Sequence, residues 1–242
     1  MKARVKKQKE SFNIPIIGKI KIGEKKISEK TGKEYPVSLD YFRATGKYER
    51  AFYDIYGDKP NRIQIIFYSD NIADICNEYL ELRDHAGNLA GMSDGYEYYV
   101  WDGTTYKSTN KPDEAAKYYK SPNGWQRRLI LRFFILGIKI FGAWEFSTKA
   151  DKSSIDAIVS AFDFVQSRAG TVKRIPFDLT VHKHTSQKPN SKNTYPVVNL
   201  IPNLSDENLL RVKNFIKQGT LNLNEVFVLS ENLLQEPKKL KE

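Results

Sequence analysis

The chain has 242 residues, room for one large domain or two small ones with a real core. Lysine and arginine number 39 against 29 aspartates and glutamates, a net charge of +10, and 40% of residues are hydrophobic, with 14 Tyr and 13 Phe. That apolar content excludes a disordered chain, and the single cysteine, Cys76, excludes a disulfide framework, a cysteine zinc ribbon and a CxxC redox pair.

The first segment, residues 1–11, reads as a flexible basic arm. Lys2, Arg4, Lys6, Lys7 and Lys9 carry five of the ten surplus charges with no acid among residues 1–9. Such a block suits a phosphate backbone or an anionic partner surface, or serves only to keep the chain soluble. No apolar stretch follows it, so no secretory leader is expected. The longest apolar candidate, LILRFFILGIKIFGAW, is broken by Arg132 and Lys139 and is no membrane helix. The class indicated is a soluble, basic, intracellular protein of a reducing compartment.

Residues 12–202 read as an α+β core domain, predominantly antiparallel β-sheet and meander with three or four helices. Residues 14–26 form a strand with Ile16, Ile20 and Ile22 on one face, turn through residues 29–32 at Gly32, and return as a strand over 35–45. Residues 47–57 place Tyr48, Phe52, Ile55 and Tyr56 at helical spacing, closed by Gly57. A strand follows over 62–70. From Ile75 to Lys107 the pattern is a β-meander, with Gly87 and Gly91 at turns and Asp102-Gly103 in a hairpin.

A short helix occupies 112–119, and strands are predicted at 125–136 and 141–148. Ser153 and Ser154 open a capped helix with Ile155, Ile158, Val159, Phe162 and Val165 on one face and Gly170 at its end. Strands over 175–184 and 195–201 are joined by a polar, exposed loop that carries Lys188 and Lys192. Residues 203–242 give a last helix, from Ser205 to about Gln218, and a polar tail. Its acids Asp206 and Glu207 lie at the positive end of that helix, and Lys213 and Lys217 at the negative end.

Catalytic motifs are missing: there is no phosphate-binding loop, nucleophile elbow, HExxH or dinucleotide fingerprint. His182 and His184 share a strand face that can chelate, and Arg83-Asp84-His85 would supply further ligands only if the meander packed nearby. No further ligand comes from the spacing, so two exposed strand histidines are the simpler account and no metal or cofactor is expected.

The positive signal is basic residues interleaved with aromatics. In WQRRLILRFFIL, Trp125, Arg127, Leu129, Leu131 and Phe133 share one face, and Arg128, Ile130 and Arg132 the other. With Lys139 nearby, such a face can track phosphates and stack bases, and YEYY (96–99) and KYYK (117–120) add stacking candidates. The candidate nucleic-acid residues are therefore Trp125, Arg127, Arg128, Arg132 and Lys139, with the arm's cations and Lys188 and Lys192. Against this, strand propensity and core packing account for the same aromatics, and a core with a solvated face is the simpler reading.

KIKIGEK, then GKEYPVSLDYFRAT, IYG, a stretch with Cys76, Arg83-Asp84, Gly87 and Asp94-Gly95, and finally GAWEFSTKADKSSIDAI resemble, in this order from about residue 16 to 202, the phage recombination directionality factor-like family. The resemblance implies a non-enzymatic accessory protein in the cytoplasm of a bacterial host. It would bind a serine integrase or another DNA-transaction protein on its DNA sites and favour excision, with no membrane partner. The alternative is a phage-type single-stranded nucleic-acid-binding or replication accessory protein that uses the basic and aromatic strand face.

Overall fold

The computed structural model describes residues 14–118, 124–186, 193–222, 226 and 228–230. A hairpin opens the fold because alternation and turn chemistry agree. In β1 (Ile16–Ile27), Ile20 is buried between exposed Lys19 and Lys21. The chain turns at residues 28–33, where Gly32 takes φ 64°, and returns as β2 (Glu34–Thr45), burying Leu39, Phe42 and Ala44. Helix α1 (Glu49–Tyr56) lays Phe52 against Trp144, ring centroids 6.0 Å apart, and ends where the Gly57 N–H donates to the Tyr53 carbonyl.

Strand β3 (Arg62–Ile66) stops short of the predicted residue 70. The Asp70 carboxylate accepts from the Thr171 hydroxyl and the Val172 and Lys173 N–H groups, at 2.6, 2.9 and 3.0 Å, which draws the chain out of the ladder. An unforeseen one-turn helix follows, α2 (Ile72–Ile75), whose Ala73 N–H donates to the Asn71 side chain. It brings the helix total among the described residues to five, not three or four.

The meander is present as β4 (Cys76–Arg83), β5 (Leu89–Ser93), β6 (Tyr98–Trp101) and β7 (Tyr106–Thr109). Gly91, expected in a turn, instead sits buried inside β5. A Cβ there would lie 2.8 Å from the Tyr99 carbonyl oxygen and 3.0 Å from the Trp125 ring, so the position accepts only a glycine. Helix α3 (Pro112–Tyr118) packs Ala115 into a small core of Leu82, Tyr98 and Val100 beside the meander.

Strands β8 (Gln126–Ile135) and β9 (Ala143–Thr148) form an antiparallel pair. A π-helical turn at Asp151–Ile155 then leads into α4 (Asp156–Ala169), which ends at left-handed Gly170. The serine cap predicted for this helix is not formed, and the buried Ser154 hydroxyl accepts from the Val198 N–H instead. Strands β10 (Pro176–Thr185) and β11 (Thr194–Pro202) form the last hairpin, and the Asn208 N–H donates to Ser205 at the start of α5 (Asp206–Gln218).

The described strands make one large mixed sheet that does not close. Its main path runs β11-β10-β3-β8-β4-β5-β6-β7, and a branch leaves β8 through β9 and β1 to β2. The β1–β9 pair is parallel and the other strand pairs are antiparallel. The core lies on one side. Phe133, Phe146 and Phe177 meet Ile158, Phe162 and Val165 of α4 and Leu209 and Val212 of α5 in one cluster. Each such buried apolar side chain contributes about 1.5–3 kcal/mol, which is why the helices sit on this face and leave the other without a helical layer.

Candidate interaction face

Period-2 alternation along β8 divides its residues between the two sides. Leu129, Leu131, Phe133 and Ile135 are buried, while Gln126, Arg128, Ile130, Arg132 and Phe134 are half-buried on the outer face. Cross-strand register carries that face across the neighbours. Arg132 is paired with Glu145, Glu145 with Lys19, Lys19 with Thr45, and Lys21 with Arg43. In the other direction Arg128 is paired with Tyr79, Glu81 with Met92, Met92 with Tyr99, and Trp101 with Tyr106.

Glu81 anchors the middle of the face. Its side chain is fully buried and accepts from Arg83 at 2.9 Å, Arg128 at 3.2 Å and Lys149 at 2.7 Å. Burial alone would push its pKa up. Hydrogen bonds from Arg83 and Lys149 and the charge of Arg128 outweigh that and hold the carboxyl at about 2. One buried anion thus fixes three cations whose ends still reach solvent. Glu145 does the same on a smaller scale, with Lys19 at 3.3 Å and Arg132 at 3.4 Å. Lys21 and Arg43, directly opposite each other, form no ion pair among the described residues.

Seven cations (Lys19, Lys21, Arg43, Arg83, Arg128, Arg132 and Lys149) therefore share this face with Glu81, Glu145 and, at its edge, Glu97, a surplus of four positive charges. The meander end is apolar and aromatic. Tyr106 is 53% exposed, its ring 5.2 Å from that of Trp101, and Met92 and Leu89 are exposed nearby.

The structure brings only part of the predicted set together. Arg128 and Arg132 lie on this outer face as the alternation requires. Trp125 lies apart from them, its ring 5.2 Å from that of Tyr98 in the small core. Arg127, also on the core side, donates to Glu78, Asp151 and Asp156 at 2.6, 2.6 and 2.5 Å, chiefly through Glu78, and its pKa is raised. Lys139 is exposed in the β8–β9 loop beside a pocket of about 310 Å³ lined by Ile66, Phe134, Ile138, Phe141 and Trp144. Lys2, Arg4, Lys6, Lys7, Lys9, Lys188 and Lys192 lie outside the described residues.

His182 and His184 are exposed on β10, the latter 5.4 Å from the Tyr195 ring. No group of three or more His, Cys, Asp or Glu that could hold a metal occurs among the described residues. Sequence reasoning missed Lys19, Lys21, Arg43, Arg83, Lys149, Tyr79, Trp101 and Tyr106 as partners of Arg128 and Arg132. The signal available was the alternation Lys19-x-Lys21 and Glu81-x-Arg83, which shows a polar face without showing which strands lie beside it.

These features define an α+β protein built on one open sheet, with a helical core on one side and a basic, aromatic-ended face on the other. Residues 17–203 match the model of the Gp3-like family, described as recombination directionality factor-like, and the chain belongs to that family. The match begins within β1 and ends just after β11, so the family unit is the whole sheet with its first four helices. The family is of the recombination accessory type and not a catalytic class. No curated protein and no solved structure matches the chain. No helix among the described residues is long and apolar enough to cross a membrane.

Proposed function

We propose that this recombination accessory protein acts as a directionality factor, binding a serine integrase on its DNA sites and biasing it toward excision. The supporting observation is the family match, which takes in every described strand of the sheet. The mechanism is a difference in affinity. The protein binds the integrase–DNA arrangement that is productive for excision more tightly than the one productive for integration, since equal affinity would shift nothing. A near-complete reversal of outcome requires a preference of about 10⁴-fold. The basic arm (Lys2, Arg4, Lys6, Lys7 and Lys9) holds the factor close to DNA, and the setting is the cytoplasm of the bacterial host.

The test is recombination by the purified cognate integrase on paired attachment-site substrates, with and without the full chain. The expected result is excision that appears, and integration that falls, as the protein is titrated. An integrase that recombines both substrate pairs identically with and without the protein overturns the reading.

A further inference from the structure

We propose that the outer face of the sheet binds single-stranded nucleic acid, its phosphates tracking the cations of β1, β2, β8 and β9 and its bases stacking at the β6–β7 end. This does not depend on the integrase reading. Three observations carry it.

The first is charge. Four positive charges in surplus lie on a face that no described helix covers, running β7-β6-β5-β4-β8-β9-β1-β2. At the usual strand spacing those eight strands make a path of about 34 Å measured along the sheet, room for a several-nucleotide site on a basic surface. Lys21 and Arg43 carry like charges directly opposite each other, and neither forms an ion pair among the described residues. That pairing is unfavourable for the protein alone and is relieved by an anion.

The second is preorganisation. Glu81 and Glu145 together hold Arg83, Arg128, Lys149, Lys19 and Arg132 by short ion pairs while 22–59% of each cationic side chain stays exposed. Their order is set before a ligand arrives, so binding costs less side-chain entropy.

The third is the aromatic end, which decides the class of ligand. Trp101 and Tyr106, with Tyr99 on the neighbouring pair, line the same face as the cations. Bases can stack on these rings only when they are not already stacked in a duplex. An acidic protein surface would satisfy the cations and leave this end unexplained.

The experiment is fluorescence anisotropy with a labelled oligothymidylate of about 20 nucleotides and with a duplex of similar length, at low and physiological salt. It compares the full chain with three full-length variants: Lys21→Glu with Arg43→Glu, Tyr106→Ala, and one with Lys2, Arg4, Lys6, Lys7 and Lys9 all changed to Gln. Lys21, Arg43 and Tyr106 reach solvent, and circular dichroism melts check that each variant folds.

Expected are single-strand binding tighter than duplex binding, a loss of about ten-fold or more in the double charge reversal, and a salt slope shallower by about 0.7 for each phosphate contact removed. Tyr106→Ala should weaken single-strand binding at an unchanged salt slope. The proposal is overturned if the wild-type chain binds no single strand at low salt, or if duplex binds as tightly and Tyr106→Ala changes nothing. It is equally overturned if the arm variant alone abolishes binding while the charge reversal leaves it intact. If the charge reversal abolishes control of the integrase and spares oligonucleotide binding, the face serves a protein partner and the proposal fails while the directionality reading stands.

Discussion

The Ser154 hydroxyl lies 2.9 Å from the backbone nitrogen of Val198, and both residues are completely buried. The bond joins the π-helical turn ahead of α4 to β11, the last strand of the sheet's main path, and so gives a buried edge N–H an acceptor that no neighbouring strand provides. Ser154→Ala would leave that N–H buried and unpaired, at a cost of about 1–3 kcal/mol. Urea unfolding should show a lower midpoint with an unchanged slope. A variant as stable as the parent would mean that water replaces the hydroxyl.

Glu81 makes stability depend on acid. Its carboxyl ionises at about 2 in the folded protein against 4.5 for the free group. A depressed folded value means that its contribution is complete above about pH 4.5 and is lost as pH falls toward 2. The linkage amounts to about 3 kcal/mol at most. Thermal melts of the parent should therefore steepen their decline between pH 4.5 and 2, and Glu81→Gln should be less stable at neutral pH and flatter across that window. Parallel curves for the two proteins would show that the three cations do not hold this charge.

Gly18 is required for space, not for backbone freedom. A Cβ on it would be driven into the six-membered ring of Trp144, with Cε3 at 2.6 Å and Cη2 at 2.8 Å, and that ring is itself fully buried. Gly18→Ala is expected to cost about 1–3 kcal/mol through forced displacement of the indole. Gly23→Ala, farther along the same strand, meets its nearest neighbour at 3.4 Å and should be nearly neutral. Differential scanning calorimetry of the two variants separates these outcomes.

Cys76 is buried in the main core, and burial pushes its thiol pKa up to about 12. Only the thiolate attacks disulfide reagents. Labelling by a chromogenic disulfide should be negligible in the native protein at neutral pH and stoichiometric in denaturant. Rapid native labelling would show that β4 opens locally on its junction with α2.

The strand-by-strand reading of the sequence survives best where a short-range signal is complete. The β1–β2 hairpin has alternation on both sides of Gly32, α5 has Ser205 before it and acids in its first turn, and β8 has an unbroken period of two. Where a partner far along the chain decides, the reading fails. Asp70 leaves the β3 direction because residues 171–173 supply three donors, Ser154 is taken by Val198, and Gly91 faces Trp125.

The same division runs through the candidate face. Alternation alone separates Arg128 and Arg132 from Leu129, Leu131 and Phe133, because successive strand residues point to opposite sides whatever the fold. Nothing local sets Lys19, Arg43 or Tyr106 on the same surface as Arg128, or gives Arg127 to Glu78, Asp151 and Asp156. Composition, strand periods and caps belong to neighbours in sequence and are determined by it directly. Which cations gather round Glu81 depends on strand order and register, fixed only when the long loops close and one side of the sheet is buried.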